Sequence, residues 1–168
     1  MSSRCPSALP SAGLLSLALA LPAAARPGAE VRVDPVFGSR VAEAVAEATR
    51  RLDTPACAAV LSDFVDRRTG GTLAENLAAT GRTASEHVAS LRFREAPGAR
   101  LRPGRRPFAY TVPASRDVFL DRGELLRVAN QPRLTTAVVL HEVLHTLGLR
   151  DDHPSSVAIT ERVLSRCF

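Results

Sequence analysis

The stretch Leu140-His141-Glu142-Val143-Leu144-His145-Thr146-Leu147-Gly148-Leu149-Arg150-Asp151-Asp152-His153 holds three of the four histidines in this 168-residue chain. It continues an apolar run, Ala137-Val138-Val139-Leu140, and Pro132 upstream suits the first position of a helix. A helix from Pro132 to about Leu147 sets His141 and His145 one turn apart, so both imidazoles leave the same face. Two neutral nitrogens at that spacing suit one Zn²⁺ at about 2.0–2.1 Å, with Glu142 reaching the open fourth position. Val143 and Leu144 between the histidines are apolar, as a helix passing through a core requires. Gly148 falls where the chain can leave the helix through a left-handed residue. Asp151, three residues further, is placed to swing back as a third ligand. The pattern predicts a zinc hydrolase site in which the metal brings the pKa of water from about 15.7 to roughly 7. Glu142 then takes the water's proton during attack on a carbonyl.

The third ligand has alternatives. His153 is chemically a better zinc ligand but lies two residues beyond Asp151, and Glu161 sits on a following helix. Asp152 is placed to orient His141 or His145 through its second ring nitrogen. Tyr110, the chain's one tyrosine, stabilises an oxyanion if its strand faces the metal, and otherwise reads as a core or surface residue. His87 stands alone and reads as structural.

The run His141-Glu142-x-x-His145-x-x-Gly148-x-x-Asp151 resembles the zincin metallopeptidases, in the metzincin-like spacing that ends in aspartate. In that variant it looks like the small secreted neutral proteases of the snapalysin type. The likeness extends upstream to Asp117-Val118-Phe119-Leu120-Asp121, which resembles the strand just before the active helix in those enzymes. The resemblance implies an α+β, small zincin-like domain whose helices pack on a short, mostly antiparallel-edged sheet beside the active-site helix. It also implies that Asp117 to Leu120 is the edge that binds an extended substrate by strand addition. One element departs from the pattern. Metzincins carry a methionine turn beneath the metal, whereas the one methionine here is Met1, and the residues after His153 read as a capped helix.

Residues 1–25 read as a secretory signal peptide. Arg4 gives the positive start, Gly13 to Leu21 the apolar stretch, and Ala23-Ala24-Ala25 the small-residue cleavage site. Residues 26–168 then form one domain, exported to the extracellular space or the cell wall and free of membrane once the signal is cut. The cleavage leaves Cys57 and Cys167, an even pair that predicts one disulfide closing a loop of about 110 residues.

Every basic residue is arginine, and the formal net charge is +5. Arg92, Arg94, Arg100, Arg102, Arg105 and Arg106 cluster between Leu91 and Pro107, around a Pro/Gly-rich loop. The cluster suits a solvated loop or contact with an anionic cell-wall surface. Only Phe93 and Phe108 lie nearby, so the stacking platform of a nucleic-acid binder is missing.

Periodicity and caps place the remaining elements. A short strand or leader falls at Val31 to Val33. Helices run from Val41 to Leu52, from Pro55 through Cys57, Val60, Leu61 and Phe64, and from Thr72 to Ala79. Thr83-Ala84-Ser85-Glu86 is a capping box for another, ending near Ser90. Strands are expected at Leu91 to Arg94, Phe108 to Val112 and Asp117 to Leu120, the last two as a hairpin, and a final helix is capped by Ser155 or Ser156. These readings converge on a secreted, monomeric zinc metallopeptidase acting on protein or peptide. The alternatives are a zincin-like binding or structural domain without catalysis, and a zinc amidase acting on cell-wall peptide.

Overall fold

The computed structural model describes residues 28–96, 109–111, 115–128, 130–152 and 154–168. The signal-peptide reading of 1–25, the arginines at 100–106 and His153 lie outside them. The architecture is α+β, with helices and a four-stranded mixed sheet.

Strand β1 (Glu30–Arg32) leads into helix α1 (Pro35–Leu52). The helix starts six residues before the expected Val41, because Asp34 caps it and Pro35 fits its first turn. The Asp34 carboxylate accepts from the Val36 amide at 2.9 Å. Phe37, Val41, Ala44, Val45, Ala48 and Leu52 form its buried stripe. The expected second helix breaks in two at Ala59, giving α2 (Pro55–Ala58) and α3 (Val60–Asp63), and Phe64 is already extended. Capping boxes open α4 (Leu73–Ala79) at Thr72 and α5 (Ala84–Ala89) at Thr83, of which the second is expected from the sequence.

Strands β2 (Arg92–Glu95), β3 (Ala109–Thr111) and β4 (Asp117–Leu120) complete the sheet in the order β1-β2-β4-β3. β1 and β2 pair in parallel, as do β2 and β4, and β3 alone is antiparallel, joined to β4. This corrects two expectations. The sheet is parallel inside with one antiparallel edge, because β1 and β2 are linked by the helices between them and not by a hairpin. Asp117 to Leu120 is also an interior strand; the edge is β3, with Tyr110 opposite Phe119 in register. Phe93, Val118 and Leu120 are essentially sealed from solvent beneath it.

Helix α6 (Arg122–Val128), unforeseen in the sequence, is opened by Asp121, whose carboxylate accepts from the Glu124 amide at 3.0 Å. Helix α7 (Pro132–Thr146) runs through the middle of the molecule, packed against α1, α6, α8 (Ser156–Cys167) and β3. From Thr135 onward it is buried almost all round, which explains its lack of a polar stripe. The disulfide joins Cys57 on α2 to Cys167 at the end of α8.

Candidate metal centre

Because α7 is enclosed on every side, its polar side chains need partners from other elements. His141, Glu142 and His145 are 4%, 4% and 7% exposed. Each has such a partner, and the partners fix which way it faces.

The Nδ1 of His145 lies 2.8 Å from the Leu149 carbonyl oxygen. A carbonyl only accepts, so this nitrogen carries a ring proton, and in the neutral ring Nε2 presents a bare lone pair. The Nδ1 of His141 lies 2.9 Å from Thr160 Oγ1, whose own proton goes to the Ser156 carbonyl at 3.0 Å. His141 therefore also donates from Nδ1 and faces inward with a bare Nε2. The two Nε2 atoms are 2.9 Å apart, and Asp151 Oδ1 is 3.4 Å from each. Without a metal, a proton on the facing nitrogen of His141 hydrogen-bonds to Asp151 and holds its carboxyl below the ordinary range, against the opposing effect of burial.

Among the described residues, His141, His145 and Asp151 form the one group of acidic, thiol or imidazole side chains that could hold a metal ion. Their fit can be tested on the three distances. A circle through the ligand atoms has a radius of about 1.9 Å, just inside the ~2.0–2.1 Å bonds of zinc to nitrogen or oxygen. One ion can thus touch all three at once while sitting slightly off their plane, as a tetrahedral ion does. Three ligands of the N, N, O type with one side open is also the pattern of catalytic sites.

Two features bring Asp151 back to the histidines. Gly148 takes φ +108°, a conformation that glycine adopts freely, and turns the chain off the end of α7. Asn76 on α4 then holds the turn, donating from Nδ2 to the Leu147 carbonyl at 2.8 Å and to Asp66 Oδ2 at 3.2 Å. Asp66 is buried, which by itself raises its carboxyl pKa, but bonds from the Arg68 amide and Asn76 leave it below the ordinary value.

Glu142 points toward β3, where the Thr111 hydroxyl donates to its Oε2 at 2.8 Å. Burial pushes this carboxyl up to about 7, against the lowering effect of His145 and Thr111. It lines a cleft of about 420 Å³ together with Tyr110, Thr111, His145, Arg150 and Asp151. Tyr110 stacks on Phe119 with ring centroids 5.0 Å apart, so it forms a wall of this cleft.

Of the other expected residues, Glu161 is exposed on α8 and outside the ligand group. The second-nitrogen partners of the histidines are Thr160 and Leu149, where Asp152 was expected; Asp152 lies 3.8 Å from the Arg67 guanidinium. His87 is structural, buried with its Nε2 2.7 Å from Thr146 Oγ1. From the arginine cluster, Arg92 and Arg94 both pair with Asp117, at 2.8 and 3.2 Å. Thr111, Thr160, Asp66 and Asn76 were missed by sequence reasoning. They lie far from the motif along the chain, and a threonine or asparagine in a strand or helix carries no local mark of such a role.

No family model matches the chain, and neither curated proteins nor solved structures gave a match. Among the described residues, no helix is long and apolar enough to cross a membrane.

Proposed function

We propose that this chain is a secreted zinc metallopeptidase of zincin type, with His141, His145 and Asp151 holding one Zn²⁺ and Glu142 as general base. The observation that supports it most is the set of three electron-pair donors facing one point. Both Nε2 atoms are bare because their rings donate from Nδ1, and Asp151 adds an anionic oxygen 3.4 Å from each. Such a group repels itself unless a proton or a metal ion sits among its members, and three converging ligand atoms suit the metal.

Zn²⁺ bound there supplies a Lewis acid for the substrate carbonyl and brings the pKa of water from about 15.7 to about 7. The chain's own residues do the rest. Glu142, steadied by Thr111, takes a proton from the attacking water as the new C–O bond forms. It returns that proton to the amine nitrogen as the peptide C–N bond breaks. Among the described residues β3 is an edge strand of the sheet, and it offers backbone groups to an extended peptide beside Glu142. Export is supported by the signal-like residues 1–25 and by the Cys57–Cys167 disulfide.

The test is metal content and casein hydrolysis of the protein beside Glu142→Gln. The expected result is one zinc per chain in both, with activity falling at least about 10²-fold in the variant. A folded protein that takes up no zinc overturns the reading.

A further inference from the structure

We propose that Arg150 reads a carboxylate on the substrate, so that this site selects acidic peptides; this rests on the metallopeptidase reading above. Arg150 lines the same cleft as Glu142, His145 and Asp151. The other charged groups there are committed. Asp151 faces the two histidines, Glu142 accepts from Thr111, and Asp152 stands 3.8 Å from Arg67.

Arg150 is exposed, and among the described residues no carboxylate pairs with it. The residues outside the described set include no Asp or Glu, so the rest of the sequence supplies no acidic side chain for it either. With a divalent ion between the histidines and Asp151, the charges of Asp151 and Glu142 are offset. The guanidinium then remains as the uncompensated charge of the cleft. Its planar fork matches a carboxylate in two parallel hydrogen bonds. The carboxylate is either an Asp or Glu side chain near the scissile bond or the free α-carboxylate of a peptide end.

Three peptides of one sequence separate these sources: one with an internal Glu and an amidated end, one with Gln and an amidated end, and one with Gln and a free end. kcat/KM is measured for the zinc-loaded protein and for Arg150→Gln and Arg150→Lys. One of the two acidic peptides is expected to be cut about ten- to a hundredfold better than the neutral one. Arg150→Gln collapses that ratio toward unity, and Arg150→Lys, which keeps the charge and loses the fork, retains part of it. Which acidic peptide is favoured names the source. Binding of the same peptides, fluorescently labelled, to zinc-loaded Glu142→Gln gives a readout that needs no turnover. Equal cleavage of all three peptides overturns carboxylate recognition and leaves the peptidase standing. Failure to cleave any of them, with acidic binding still lost on adding Arg150→Gln, overturns the peptidase and supports the arginine's role. Equal binding of all three overturns that role whatever the turnover.

Discussion

The Asp66 carboxylate fills the space that a side chain on Gly148 would need: a Cβ built there stands 2.6 Å from Asp66 Oδ2. Gly148 is thus required twice, for this contact and for its φ of +108°. Gly148→Ala is expected to cost about 2 kcal/mol or more in stability, from the left-handed backbone and the clash together. Adding Asp66→Ala removes only the clash, so chemical denaturation of the single and double variants should show a coupling between the two sites. Additive losses would mean that the turn does not depend on this contact.

Thr160 holds His141 from a different helix. Thr160→Val removes the oxygen that accepts from Nδ1, and metal affinity is expected to fall about 10- to 100-fold. Competition with a chromophoric chelator measures it directly. Thr160→Ser keeps the hydroxyl and should restore most of the affinity, which a purely steric role would not require.

His87 gives stability a pH dependence of its own. Burial, with Arg82 and Arg116 adding to it, brings the imidazole down to about 4 in the folded state, below its ordinary 6.5. The unfolded chain therefore binds a proton between about pH 6.5 and 4 that the folded chain refuses. This contribution is complete above the unfolded value and is lost as pH falls toward 4, by on the order of 3 kcal/mol. His87→Gln keeps a donor toward Thr146 and does not titrate. Its stability relative to wild type should rise steadily through that window; parallel denaturation curves would rule the effect out.

The disulfide anchors the helix that carries Thr160. It spans 110 positions in sequence, so the chain-entropy model assigns it roughly 4–5 kcal/mol. Paired Cys57→Ser and Cys167→Ser substitutions should lower thermal stability by that order. They should weaken metal binding less than Thr160→Val does if the rest of α8 stays packed on α7 through Ile159 and Val163.

Thr111 donates a hydrogen bond to Glu142, beside the candidate metal ligands. Thr111→Val should lower kcat for peptide hydrolysis by about tenfold, the effect of one hydrogen bond to a charged group, while zinc content stays at the wild-type level. A fall in zinc content would place Thr111 in support of the ligands and not of the base.

The sequence determined the local pieces of this protein. Capping at Thr54 and Thr83 depends on residues three or four apart and is observed where the pattern puts it, and of Ser155 and Ser156 it is Ser155 that caps α8. The same range of interaction places His141 and His145 on one face, and the chain brings Asp151 to them through Gly148. Pairing of Cys57 with Cys167 was also legible, because setting aside the expected leader with Cys5 leaves two thiols. Tertiary structure alone decided the strand order, which made β3 the edge and β4 an interior strand. It alone brought Thr160, Thr111 and Asn76 to the site, from positions 19, 31 and 71 residues from their partners. Such contacts form only when α7 is packed from several sides at once. Their energy comes from pairing buried polar groups across elements, and that pairing leaves no periodicity along the chain.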